Sequence, residues 1–196
     1  MRNGRNDAMS NLITKTTALA MSVTLAYINR GDTVVDATCG TGQDTVALAH
    51  AVGPEGRVFA FDIQKKALIL TEARLRAHGI GNVSLMMKSF VSMSSHIPEN
   101  SASAVMFNLG YLPGGDHSIT TASDATLEGL EAALRTIRPG GIVTIVLYDG
   151  HDEGAEEKKN VLAWAEKLNP KKYHAAFVSL INQANHPPEI LWITRK

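Results

Sequence analysis

The sequence contains a single cysteine, Cys39, so no intrachain disulfide and no Cys-rich metal site can form. Such sparing use of cysteine suits a reducing compartment, and the cytoplasm is the expected location. Neither sign of charge is in excess: Lys plus Arg and Asp plus Glu each number 19, for a formal net charge of zero. Proteins that grip nucleic acid by bulk charge carry a basic surplus, so any nucleic-acid substrate here must be met through local contacts. Long apolar runs are missing as well. Arg2 and Arg5 precede a stretch ending in Ala18-Leu19-Ala20 with the loose layout of a secretion signal, but Lys15 and the threonines Thr14, Thr16 and Thr17 interrupt it. Nothing approaches the ~18 consecutive apolar residues of a spanning helix, so no membrane association is expected. Repeats, low-complexity tracts and long linkers are also lacking, and no metal is expected. What is there, 196 residues of which 44% are apolar, can bury one core and predicts a single domain over 1–196.

Short apolar runs alternate with helical patterns along the chain. Strands are predicted over 33–38, 57–62, 83–87, 104–109 and 142–148, with helices over about 7–29, from Gly42 to about His50, over 64–78, 123–137 and 153–168. The segment 152–172 carries five acids and five lysines and cancels internally, the pattern of a solvated helix face. After Pro170 two strands, 173–181 and 189–194, follow one another with no helix between them. A βα alternation that closes on a hairpin predicts an α/β fold: a Rossmann-like, doubly wound, mostly parallel seven-stranded sheet with one antiparallel strand.

Asp36-Ala37-Thr38-Cys39-Gly40-Thr41-Gly42 falls at the carboxyl end of the first strand, where doubly wound sheets bind ligands. Glycines at 40 and 42 let the backbone approach a ligand closely. A dinucleotide fingerprint would place Gly or Ala at residue 45, and Thr45 stands there, which weighs against NAD chemistry. Asp62 ends the second strand, 20 residues beyond Gly42, and is placed to accept hydrogen bonds from the two hydroxyls of a ribose.

This set of an acid-ended strand, a Gly-x-Gly turn and a second acid at the next strand end resembles the class I S-adenosylmethionine-dependent methyltransferases, with Thr38 where that family usually has its first glycine. The resemblance implies S-adenosylmethionine as cofactor and S-adenosylhomocysteine as its product. It implies cofactor contacts from Asp36, Gly40, Thr41, Gly42, Gln43 and Asp44 in the loop, from Asp62, Ile63 and Gln64 after the second strand, from Ser89 and Phe90 after the third, and from Asn108.

Asn108-Leu109-Gly110-Tyr111 follows the fourth strand, and its first and last residues fit the Asn/Asp-Pro-Pro-Tyr motif of methyltransferases that modify amino groups. An amine attacking a sulfonium methyl must aim its lone pair along the S–CH3 axis. The Asn108 side-chain carbonyl and the Leu109 backbone carbonyl can hold its N–H groups in that line. Tyr111 can stack on a planar substrate, and Asp149 and His151, past the fifth strand, can take up a proton or meet phosphates.

The run Asn108-Leu109-Gly110-Tyr111-Leu112-Pro113-Gly114-Gly115-Asp116, Tyr148 with Gly150-His151, and Ile181-Asn182-Gln183 with Asn185 and Pro187-Pro188 resemble a small bacterial family labelled rRNA methylases. The likeness runs from about Asp32 to the C-terminus. It departs from the family pattern at Asp149, at Asp152-Glu153 and at His186-Pro187-Pro188-Glu189. Membership implies methylation of the aminomethyl nitrogen of 5-aminomethyl-2-thiouridine at the tRNA wobble position, with the tRNA anticodon arm as partner; a homodimer would widen the surface available to grip it. Methylation of another RNA or of a small amine, and a nucleotide-binding module without catalysis, are the alternative readings.

Overall fold

The computed structural model describes residues 15–110, 123–148, 152–183 and 187–196. Its elements in chain order are α1 (Thr16–Leu25), β1 (Thr33–Asp36), α2 (Gln43–Val52), β2 (Arg57–Asp62), α3 (Lys65–Ala77), β3 (Val83–Met87), a 3-10 turn (Phe90–Ser95), β4 (Ala102–Leu109), α4 (Ser123–Thr136), β5 (Ile137–Leu147), α5 (Asp152–Ala165), β6 (Tyr173–Val178) and β7 (Glu189–Arg195). Among the described residues no helix is long and apolar enough to cross a membrane. The part of the predicted first helix before residue 15 lies outside the described residues.

The seven strands form one sheet in the order β3-β2-β1-β4-β5-β7-β6. β1 to β5 pair in parallel, and β7 runs antiparallel between β5 and β6. This is the predicted sheet, with its one reversed strand set by the closing hairpin. Strand residues alternate between two buried faces, which is why their sequences read as unbroken apolar runs. Val35, Val105, Phe107, Val143 and Ile145 face Leu130, Leu134 and Val161 of α4 and α5. Val34, Ala104 and Ile142 face Leu48 and Val52 of α2, with Met21 and Leu25 of α1 at the same face.

Several boundaries differ from expectation, three of them in ways that shape the sheet. β1 stops at Asp36 because the loop N–H groups that follow go to different partners, Ala37 to the Met106 carbonyl at 2.8 Å, Thr38 to Asp36 Oδ1 at 3.3 Å and Cys39 to the Phe61 carbonyl at 2.9 Å. β5 begins at Ile137, before Pro139-Gly140-Gly141, because Ile137 already pairs with Ala102 while Ile142 pairs with Ala104. Residues 138–141 therefore bulge out of the ladder, with Gly140 at φ +76°. β6 ends at Val178, three residues short of the expected limit.

The strand order reverses between β1 and β4. Helices on either side of that point leave a crevice at the carboxyl ends of the strands, and the sequence puts its polar residues there.

Candidate active site

The loop after β1 is held from three sides. Gly42 N–H donates to the Cys39 carbonyl at 2.7 Å, closing a turn that takes Gly40 to φ +51° and Gly42 to φ +79°. α3 clamps the outside: Thr71 Oγ1 donates to the Gly40 carbonyl at 3.1 Å and Arg74 Nε to the Thr41 carbonyl at 2.8 Å. A Cβ on Gly42 would lie 2.9 Å from the Thr71 backbone, so glycine is required there by space as well as by φ.

Three carboxylates surround this loop. Asp36 is fully buried and accepts from Thr45 Oγ1 at 2.6 Å and from Thr38 N–H at 3.3 Å. Burial, then the nearby Asp44 charge, push its pKa up to about 7 against the downward pull of both hydrogen bonds. Asp62 accepts from Gly40 N–H at 3.0 Å and from Gln64 N–H at 2.8 Å, so it ties the end of β2 to the loop. Asp44, in the first turn of α2, accepts from Asn108 Nδ2 at 2.7 Å. Its pKa is raised by burial, with the Asn108 hydrogen bond opposing.

Asn108 sits near the end of β4. Its main-chain N–H donates to Thr38 Oγ1 at 2.7 Å, so the threonine that replaces the family's usual glycine links the loop to that strand. The Leu109 carbonyl, expected to receive a substrate N–H, accepts Tyr148 N–H at 3.3 Å and has only its second lone pair open. Tyr148, just past β5, is 40% exposed, and its ring packs within 3.5 Å of the place a Cβ on Gly110 would take. Burial and the Asp44 charge raise its phenol pKa. Ile63 and Met87, at the ends of β2 and β3, are large apolar side chains left 57% and 62% exposed.

The structure thus brings Asp36, Gly40, Thr41, Gly42, Asp44, Asp62 and Asn108 together, with Gln43, Ile63, Gln64 and Ser89 on the adjoining strand ends and turns. The Phe90 ring is buried, packs edge-on against Phe107 at 5.4 Å and lies over Gly129, which leaves its main chain as the part that can face a ligand. Ser89 caps the 3-10 turn by accepting from Val91 N–H at 3.3 Å. Tyr111, Asp149 and His151 lie outside the described residues, as do Leu112 to Asp116, Gly150 and Asn185. Thr38, Thr45, Thr71, Met87 and Tyr148 were not singled out as site residues. The signal for Thr45 was available, since a hydroxyl near an acid that must be buried is a natural donor to it, whereas Thr38 gives Asp36 only its main-chain N–H. Cavities of about 410 and 390 Å³ along α5 and β6 share no residue with this cluster.

The description of the "Putative rRNA methylase" family matches residues 58–194. A chloroplastic tRNA (mnm(5)s(2)U34)-methyltransferase of Arabidopsis thaliana is 38% identical over 193 residues, which cover 93% of this chain and 70% of that protein. The crystal structure of a Clostridium thermocellum protein with the same rRNA-methylase description superposes with a TM-score of 0.90 at 42% identity, covering 93% of this chain and 98% of that one. A Streptococcus mutans protein described as a "putative methyltransferase" and solved in complex with SAH superposes with a TM-score of 0.84 at 31% identity, again covering 93% and 98% of the two chains. With the family matched over most of its length and the reversed-strand sheet in place, this chain belongs to the rRNA methylase family of class I S-adenosylmethionine-dependent methyltransferases.

Proposed function

We propose that the chain transfers a methyl group from S-adenosylmethionine to the aminomethyl nitrogen of 5-aminomethyl-2-thiouridine at the wobble position of tRNA. The observation that carries this reading is the 38% identity, over 93% of the chain, to a protein named for methylation at that position. The crevice suits both reactants. Asp62 has lone pairs beyond those used by Gly40 and Gln64 to accept from ribose hydroxyls. Ile63 and Met87, with Gln64 and the main chain at Ser89 and Phe90, offer apolar flanks for an adenine. Asp36, Gly40, Thr41, Gly42 and Gln43 border the methionine end, where buried acids favour a cation.

When bound, S-adenosylmethionine supplies a methyl group already activated on a sulfonium. The chain's task is then to hold the amine deprotonated and in line. Asn108 Oδ1 accepts one amine N–H, Tyr111 stacks on the uracil, and Asp149 or His151 receives the proton that the ammonium form must lose first. Contacts are local because no net positive charge is available to grip the anticodon arm.

The test uses purified protein, labelled S-adenosylmethionine, and tRNA with or without a free 5-aminomethyl group on its wobble uridine. Label should enter only the aminomethyl tRNA, at a rate that climbs over roughly pH 6.5 to 8.5 as the amine loses its proton. Label in ribosomal RNA or a small amine, with none in this tRNA, overturns the reading.

A further inference from the structure

Asn108 donates two hydrogen bonds inside the protein. The main-chain N–H goes to Thr38 Oγ1 and Nδ2 goes to Asp44 Oδ2, each at 2.7 Å. These partners belong to the loop after β1 and to the first turn of α2. The cofactor side of the crevice therefore decides how the amide on β4 is turned. An amide whose nitrogen is fixed on a carboxylate has its Oδ1 turned away from that carboxylate, and Oδ1 accepts hydrogen bonds without donating them. Burial raises the Asp44 pKa; the Asn108 hydrogen bond opposes that shift, and a first-turn position in α2, where unpaired N–H groups crowd the helix end, favours the negative form as well. Tyr148 stands close enough for its phenol to feel the Asp44 charge, while Asp36 faces Asp44 from the loop side.

We infer that Asp44 is a positioning residue for methyl transfer: it turns the Asn108 carbonyl toward the acceptor and, through the amide, lends negative charge to the nitrogen that becomes cationic during the reaction. The inference rests on the amine-acceptor reading above. In the step itself the amine lone pair forms the new N–C bond, and the electron pair of the breaking S–C bond stays on sulfur. The methylated nitrogen leaves as a protonated secondary amine. An acceptor-only carbonyl backed by a carboxylate suits that change of charge, since the contact strengthens as the nitrogen turns positive. It also works against acceptors that bring no N–H or O–H to the crevice.

The test is a double-mutant cycle read by single-turnover methylation of aminomethyl tRNA, by cofactor affinity and by melting temperature. Asp44→Ala should slow transfer by roughly 30- to 100-fold, and Asn108→Ala by about 100-fold. The double variant should be within about threefold of Asn108→Ala, because Asp44 acts through that amide. Asp44→Asn still accepts from Nδ2 but carries no charge, so it should lose only about tenfold. Cofactor affinity should stay within about threefold throughout the series. Several results overturn the inference: cofactor affinity falling as far as the rate, losses that multiply in the double variant, or losses that track melting temperature alone. A wild type that methylates only a carbon or ribose-oxygen acceptor overturns this inference and the proposed substrate together. Full-rate transfer to the tRNA amine by Asp44→Ala overturns this inference alone.

Discussion

Asp62→Ala tests the cofactor side most directly, because the residue has two separable tasks. In the free protein it holds Gly40 N–H at 3.0 Å and Gln64 N–H at 2.8 Å. Both donors are partly solvated, so water replaces much of what is lost, and removing the carboxylate should cost about 1–3 kcal/mol of stability. At this chain length each kcal/mol moves the midpoint by roughly 2–4 °C, so melting should fall by about 2–12 °C. Loss of the ribose contact should cost on the order of 1.5–3 kcal/mol more, a roughly ten- to hundredfold weaker affinity for S-adenosylhomocysteine. Asp62→Asn should be no more stable than Asp62→Ala, because its amide nitrogen would face a backbone N–H, donor against donor. Calorimetry with S-adenosylhomocysteine and with an analogue lacking both ribose hydroxyls separates the two tasks. The wild type should prefer the parent compound by at least tenfold, whereas Asp62→Ala should bind the two about equally. If Asp62→Ala binds S-adenosylhomocysteine as tightly as the wild type, or if the analogue is penalised equally in both proteins, the assignment of Asp62 to the ribose is wrong.

Gly42→Ala should cost about 2–4 kcal/mol, combining left-handed backbone strain with a Cβ 2.9 Å from the Thr71 backbone, whereas Gly31→Ala, at φ +87° with no atom within 4 Å, should cost only about 1 kcal/mol. Equal thermal midpoints for the two variants would refute the packing argument. Burial pushes the Asp36 pKa up to about 7 from the ordinary 3.8, so the protonated acid favours the folded state. That contribution is fully present below about pH 4 and is lost as pH rises through about 7, amounting to roughly 4 kcal/mol over the interval. Urea unfolding at pH 4.5 to 8 should therefore show the wild type losing stability relative to Asp36→Asn, and parallel profiles would count against the buried-acid account.

How much of this was legible beforehand depends on the range of the interaction. Short apolar runs and Gly or Pro punctuation are local, and they were enough to read five parallel strands, a closing hairpin and the one reversed strand. Glycines at 40 and 42 with acids at 36 and 62 were legible for the same reason, since a strand-end acid and a tight turn are properties of short segments. The 3-10 turn at Phe90–Ser95 left no such pattern, and Phe90 read as a candidate cofactor contact although its ring fills the core against Phe107 and Gly129.

The amino-acid sequence by itself determined the order of elements, the two-sided burial of the strands and the residue types at the crevice, because each follows from local spacing of apolar side chains, glycines and acids. Only the tertiary structure decided what those residues do to one another. Pairing of β4 with β1 brings Asn108 to Thr38 and Asp44, 70 and 64 residues away in the chain, and packs α3 onto the loop through Thr71 and Arg74. Burial beneath that packing raises the Asp36 pKa, and the contact with Asp44 fixes which way the Asn108 amide is turned. Both effects arise from long-range contacts and exclusion of water, which no window of sequence contains.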